Sequence, residues 1–207
     1  MKSSTRQLWE QQDRHKGERK RLFTAVRAAV GGQTVLYPGS FVDVAASFAY
    51  PSVTYVDVDQ RASRFFGDID GVREIVASEN GAANARIEFI HADYREDLGL
   101  VNRSFDLLIS LYAGLVSEHC TQYLKDGAHL LVNPSHGDAA MASLDPRYEL
   151  AAVVNSRSGS YQVSTDSLDT YLQPKKETSL TPDLIRDRQR GIAYTKSPVA
   201  YLFRRIT

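Results

Sequence analysis

The chain has 207 residues, 43% apolar and 24% charged, with a formal net charge of zero. These values fit a globular chain with one sizeable core, exclude a disordered tail, and argue against a protein that grips long duplex nucleic acid. The single cysteine, Cys120, excludes an internal disulfide framework and a multi-cysteine zinc site and suits a reducing compartment.

Charge is uneven along the chain. From Met1 to Val30 there are eight Lys and Arg against three acids, so the remainder carries the compensating negative charge. Such a segment is either a solvated helix face or a basic arm for an anionic substrate or partner, including RNA. Residues 5–30 lack proline, and Leu22, Phe23, Val26, Ala29 and Val30 fall at helical spacing before Gly31-Gly32. A helical arm over residues 1–30 is therefore expected. It has no apolar stretch of the kind a secretory signal needs, and no run of about 18 uncharged apolar residues predicts a membrane span. The expected location is the cytoplasm, away from membranes.

Thr34 to Tyr37 reads as a short strand, and V-D-V-A-A-S-F-A-Y after P-G-S reads as a helix. Val53 to Asp59 is β-branched and ends in acids, which predicts a second strand. Helices are expected at Gln60–Phe66 and Ile69–Glu79, then strands at Ala85–Asp93 and Ser104–Leu111. A helix at Leu115–Leu124, a K-D-G turn and a strand at Ala128–Asn133 follow. Tyr148–Asn155 and Ser160–Thr165 read as a hairpin, and D-S-L-D-T-Y-L as helical. T-P-D-L-I-R-D-R-Q-R carries a Thr cap and a first-turn proline, and Val199–Ile206 is a terminal strand.

Strands alternating with helices predict a Rossmann-like α/β fold: a mostly parallel sheet of about seven strands flanked by helices, with the last strand antiparallel. Ligands of such sheets bind beyond the carboxyl ends of the strands. No repeat or low-complexity linker interrupts the chain, so a single domain over 1–207 is expected. Residues 156–198 form an insertion before the terminal strand, expected to hang from the ligand edge if the preceding strand runs parallel.

The order of these strand ends resembles the class I S-adenosylmethionine-dependent methyltransferase superfamily, over roughly Thr34 to Asn133 and more loosely to the C-terminus. V-T-Y-V-D-V-D puts Asp57, followed by Val58, where the family's acid holds the ribose hydroxyls, a role a carboxylate suits because it accepts two hydrogen bonds at once. H-A-D-Y puts Asp93 and Tyr94 at the adenine position, and F-D-L-L-I-S-L-Y places Ser110 and Tyr112 at the mouth of the fourth strand. Y-L-K-D-G-A-H-L-L-V is similar to the turn and strand before the fifth edge. The first loop departs from the pattern. V-L-Y-P-G-S-F-V-D has Tyr37 where the family has an acid, then Pro38, Gly39 and Ser40, with Phe41 and Asp43 where glycines stand. A Cβ in a tight left-handed turn costs energy and fills ligand space, and Asp43 repels phosphate, which disfavours a dinucleotide.

The resemblance implies S-adenosylmethionine as cofactor and a methyltransferase of small-molecule acceptors. Insertions before the terminal strand form substrate-choosing lids in that family, which implies the same role for residues 156–198. The alternative is a methyltransferase-like binding or scaffold protein without catalysis. The family has no universal catalytic residue; His136 and, as an alternative contact, Tyr112 are the candidates here. N-P-S-H (Asn133–His136) looks like the N-P-P-Y signature of amino-methylating enzymes, but follows the fifth strand instead of the fourth, and reads as a turn lining the ligand edge. His15, His91, His119 and His129 form no metal-ligand spacing with Cys120 or acids, so no metal is expected. The absence of G-x-x-x-x-G-K-[ST], G-x-S-x-G and G-x-G-x-x-G disfavours a P-loop nucleotidase, an α/β-hydrolase and a dinucleotide oxidoreductase.

Overall fold

The computed structural model describes residues 1–79, 85–176 and 179–207, and the chain folds as two compact units, Met1–Leu98 and Gly99–Thr207. Residues 177 and 178 of the expected insertion lie outside the described residues.

The first unit holds α1 (Ser3–Gln12), α2 (Glu18–Val30), β1 (Thr34–Pro38), β2 (Ser52–Val56), α3 (Gln60–Phe66), α4 (Ile69–Ser78) and β3 (Arg86–Ile90). The expected N-terminal helix is thus two helices, parted where the Asp13 carboxylate accepts a hydrogen bond from the Gly17 amide at 2.8 Å. β1, β2 and β3 pair in parallel, with β2 central. Leu22, Phe23 and Val26 bury one face of α2; the Phe23 ring meets the Tyr37 ring edge-on at 6.0 Å. On α3, Phe66 stacks on Tyr55 and on Phe89, at 4.9 and 4.6 Å. Aromatic pairs of this kind anchor the helices to the strands beyond simple area burial.

The charges of the N-terminal segment are partly taken up within this unit. Lys20 donates to the carbonyl and the carboxylate of Glu79, Arg27 donates to the Ala49 carbonyl, and the terminal amine meets Glu74 at 3.0 Å. Arg6, Arg14 and Lys16 are exposed.

Between β1 and β2 the expected helix is one 3-10 turn, Ala45–Phe48. The reason lies on β2. The Tyr55 hydroxyl donates to the Val44 carbonyl at 3.0 Å and sits 3.1 Å from the Ser47 amide, which donates to it. The Ser47 amide also reaches the Val44 carbonyl in i,i+3 fashion, and the Ala49 and Tyr50 amides both end on the Ala46 carbonyl. A buried phenol thus claims backbone groups that a longer helix would have used internally.

The second unit holds β4 (Phe105–Ser110), α5 (Val116–Cys120), β5 (Leu124–Val132), α6 (Asp138–Leu144), β6 (Tyr148–Arg157), β7 (Ser160–Ser164), α7 (Pro182–Arg188) and β8 (Ala200–Arg205). β4 and β5 are parallel, and β8 runs antiparallel between β5 and β6. β6 therefore points the same way as β5, and β7 returns beside it as the expected hairpin. The expected K-D-G turn lies inside β5, where pairing with β4 shifts register between Phe105 and Leu107. α6 is a helix absent from the sequence reading, and D-S-L-D-T-Y-L holds only a 3-10 turn, Leu168–Thr170. At α7 the Thr181 hydroxyl accepts from the Leu184 amide at 3.2 Å, as its sequence foretold.

Neighbouring strands run in the order β3-β2-β1 in the first unit and β4-β5-β8-β6-β7, mixed in direction, in the second, eight strands where the sequence suggested about seven.

The segment after α7 packs beneath the N-P-S-H turn. The Gly191 amide donates to the Ser135 carbonyl at 2.9 Å, and a Cβ on Gly191 would stand 2.1 Å from the Pro134 carbonyl oxygen. Gly191→Ala is expected to force the two backbones apart and lower stability by about 1–3 kcal/mol. Urea denaturation measures this, and an unchanged midpoint would refute the close approach.

Candidate functional site

Within the first unit, three strand ends bring together most of the residues that the sequence singled out. β1 ends in Pro38, and the chain turns through Gly39 and Phe41, both left-handed, at φ 65° and 49°. The turn is tied to β2: the Gly39 amide donates to the Val56 carbonyl at 2.7 Å. A glycine takes this conformation freely, whereas a phenylalanine there costs about 1–2 kcal/mol.

Asp57 stands immediately after β2, half-buried. Its Oδ2 accepts from the Phe41 amide at 2.7 Å and its Oδ1 from the Asp59 amide at 2.8 Å. Two backbone donors fix the plane of the carboxylate and use one lone pair on each oxygen. A carboxylate offers about four acceptor positions, so one on each oxygen remains for a ligand. This is the geometry that two vicinal hydroxyls require.

The loop residues that looked obstructive are held by other partners. Asp43 is 1% exposed, turned inward. Its Oδ2 accepts from the Tyr37 hydroxyl at 3.0 Å and lies 3.5 Å from Arg19 Nε, and its Oδ1 accepts from the Ala45 amide at 3.2 Å. Burial raises the Asp43 carboxyl above its ordinary range against the pull of Arg19. Burial and the neighbouring Asp43 together push the Tyr37 phenol well above its own. Tyr37, where the resemblance expects an acid, thus donates its hydroxyl to the buried Asp43 carboxylate. Tyr37→Phe is expected to remove one donor from a buried carboxylate and cost about 1–2 kcal/mol; equal unfolding free energies for parent and variant would rule that bond out.

The Phe41 ring lies under the Arg61 guanidinium, 4.8 Å away, and Arg61 also forks onto Asp59. Through these hydrogen bonds Arg61 draws the Asp59 carboxyl down to about 2. Val58 is 60% exposed beside them. After β3, Asp93 accepts from the Arg95 amide at 2.9 Å and pairs with its guanidinium, with Tyr94 half-buried between. His91 Nε2 lies 2.9 Å from the Val58 carbonyl, which links the second and third strand ends. Pro38 and Ser40 are buried. The first unit therefore gathers Gly39, Phe41, Asp57, Val58 and, through His91, the edge that carries Asp93.

The second unit places the remaining candidates in two groups. Ser110 is buried, and its hydroxyl donates to Asp138 Oδ2 at 2.5 Å. Asp138 opens α6 and also accepts from the Ser117 hydroxyl at 2.5 Å and the Ser117 amide at 3.1 Å. Burial lifts its carboxyl to about 6 despite these bonds. Nothing in the sequence reading identified Asp138 or Ser117; the G-D pair before A-A-M-A-S-L is a helix-start signal that marks the former. Tyr112 is left-handed at φ 61° and 61% exposed, and its amide donates to Asn133 Oδ1 at 3.3 Å. Ser135 and His136 follow in the same turn. Cys120 is buried, which pushes its thiol up to about 12 and makes it a poor nucleophile. Among the described residues no three His, Cys, Asp or Glu side chains converge as a metal site, and no helix is long and apolar enough to cross a membrane.

No protein-family model matches the sequence, and no curated protein matches it. Solved structures do. An O-methyltransferase from Bacillus cereus in complex with SAH superimposes with a TM-score of 0.52 at 10% identity, covering 79% of this chain and 89% of that one. A methyltransferase from Geobacter sulfurreducens gives 0.50 at 17% identity, covering 74% and 85%. The chain has the class I methyltransferase fold. In the methyltransferase fold of this chain, β6, β7 and β8 supply the antiparallel flank, and the loop after β1 is followed by a single 3-10 turn.

Proposed function

We propose that this protein is an S-adenosylmethionine-dependent methyltransferase acting on a small-molecule acceptor. The Asp57 carboxylate carries the reading: it stands at the end of β2, oriented by the Phe41 and Asp59 amides, with an acceptor position left on each oxygen. The similarity in fold to the Bacillus cereus O-methyltransferase in complex with SAH supports the same ligand class. Asp57 would hold the ribose hydroxyls, with Val58, Asp93 and Tyr94 toward the adenine and Pro38, Gly39 and Ser40 lining the loop. When bound, the cofactor supplies an electrophilic methyl group on a sulfonium; the chain's part is to hold that methyl in line with the acceptor and exclude water. The inward turn of Asp43 and the pairing of Phe41 with Arg61 support room for the adenosyl group.

The inserted segment would serve as the lid. Its Gly191 rests on the turn after β5, so acceptor selection would belong to it and to Tyr112. A second reading, a binding protein without catalysis, draws on the left-handed Phe41 in the loop. Thermal unfolding with S-adenosylhomocysteine separates the two. At about 100 times Kd the ligand adds ~2.7 kcal/mol, and a melting temperature that stays put would favour the second reading.

A further inference from the structure

Asp93, the acid that the resemblance places at the adenine, is fully occupied within its own turn. Its Oδ1 accepts from the Arg95 amide at 2.9 Å and from Arg95 Nε at 3.0 Å. Its Oδ2 accepts from the same Nε at 2.9 Å and from Nη2. A carboxylate offers about four acceptor positions, and these contacts fill them. Asp57 keeps a position on each oxygen; Asp93 keeps none.

A different acceptor stands at the same edge. The Asp57 amide donates to the Ile90 carbonyl at 3.2 Å, which carries the pairing of β2 and β3 one step past the strands. Beyond it, His91 Nε2 lies 2.9 Å from the Val58 carbonyl. A carbonyl only accepts, so Nε2 carries the proton, and in the neutral ring Nδ1 has a bare lone pair. The ring is held on its flank as well: it stacks on Phe89 at 6.3 Å, and Phe89 stacks on Phe66 at 4.6 Å. His91 is exposed, and among the described residues no protein group is hydrogen-bonded to its Nδ1. Val58, to which the ring is tied, directly follows Asp57 and is 60% exposed.

We propose that His91 selects the base of the ligand, its Nδ1 accepting a hydrogen bond from the exocyclic amine of adenine in place of Asp93. This rests on the cofactor site of the transferase reading above and uses residues of the first unit alone. A ribose held by Asp57 brings its base beside Val58, whose carbonyl fixes the imidazole. Adenine offers an N–H donor at its amine, whereas a base with an oxygen at that position offers only lone pairs. Such a base sets acceptor against acceptor, and one with hydrogen there leaves Nδ1 without a proton to accept.

The test compares S-adenosylhomocysteine with its 6-deamino analogue, in which hydrogen replaces the amine, by calorimetric titration of the full chain at pH 8. The parent should bind the amine-bearing ligand about 10-fold more tightly, and His91→Ala should bring that ratio close to one. The variant also frees the Val58 carbonyl and weakens both ligands, so the ratio, and not either affinity, reads the amine. In spectra of the 15N-histidine-labelled chain, assigned from His91→Ala, the bare Nδ1 resonance should move upfield at saturating S-adenosylhomocysteine. At saturating analogue it should stay in place. A parental ratio in His91→Ala, or a ratio lost in Asp93→Asn and kept in His91→Ala, returns the amine to Asp93 and overturns the proposal. Equal affinities in the parent, or an unmoved Nδ1 resonance with S-adenosylhomocysteine bound, also overturn it and leave the cofactor reading standing. Binding of neither ligand by the parent overturns the cofactor reading itself, and the role of His91 with it.

Discussion

Asp57→Ala is expected to abolish the rise in melting temperature that S-adenosylhomocysteine gives the parent protein. Both oxygens of the carboxylate are anchored by backbone amides while it stays half-exposed at a strand end. Removing it deletes both acceptor positions for a vicinal diol, and each charge-assisted bond of that kind contributes about 1.5–3 kcal/mol. Together these match or exceed the ~2.7 kcal/mol that saturating ligand contributes. The variant also orphans the Phe41 and Asp59 amides, so its ligand-free melting temperature falls as well. The informative quantity is the difference with and without ligand, measured on each protein separately. A shift of parental size in Asp57→Ala would remove this residue from the ligand site.

The second large effect concerns pH and Asp138. Its folded-state carboxyl titrates at about 6 because burial opposes its charge, against an ordinary 3.8. Between these values the folded chain holds a proton that the unfolded chain has released. Stability from this group is therefore full below the unfolded carboxylate range and is lost as pH rises through about 6. At 1.36 kcal/mol per unit the loss is on the order of 3 kcal/mol. Asp138→Asn keeps an oxygen for Ser117 and offers an NH2 to the Ser110 oxygen, without a charge to desolvate. Urea midpoints at pH 4.5 and 7.5 should show the parent losing stability across that interval relative to Asp138→Asn. Parallel behaviour of the two proteins would mean the carboxyl is not strained by burial. Asp138→Ala is expected to destabilise at both pH values, at about 1–3 kcal/mol for each buried donor left unpaired.

The strands were legible because each is a β-branched or aliphatic run bounded by turn residues, and Asp57 was legible because it follows such a run directly. The helices flanking β2 were legible only in part. Gln60–Phe66 is a helix as read, with Asp59 capping it. V-D-V-A-A-S-F-A-Y has equal helical character but yields one 3-10 turn, because a tyrosine hydroxyl from β2 reaches its backbone. No local pattern reports a hydrogen bond made by a residue eight positions away. The same holds for Asp43, whose charge suggested repulsion at the ligand while its partners, Tyr37 and Arg19, lie six and 24 positions back. The turn from Asn133 to His136 is contiguous in sequence, yet the Tyr112 amide that donates to its Asn133 side chain arrives from the end of β4.

The brevity of the 3-10 segment after the first strand also sorts cofactors by charge. A full helix aligned on the loop would offer a ring of unpaired N–H groups and roughly half a positive charge to whatever sits before it. Four residues align too few peptide dipoles for that. Triphosphates, dinucleotides and flavin phosphates therefore lose their usual reward for docking at such an edge. A ligand that is neutral in its sugar and cationic at its reactive atom forfeits nothing.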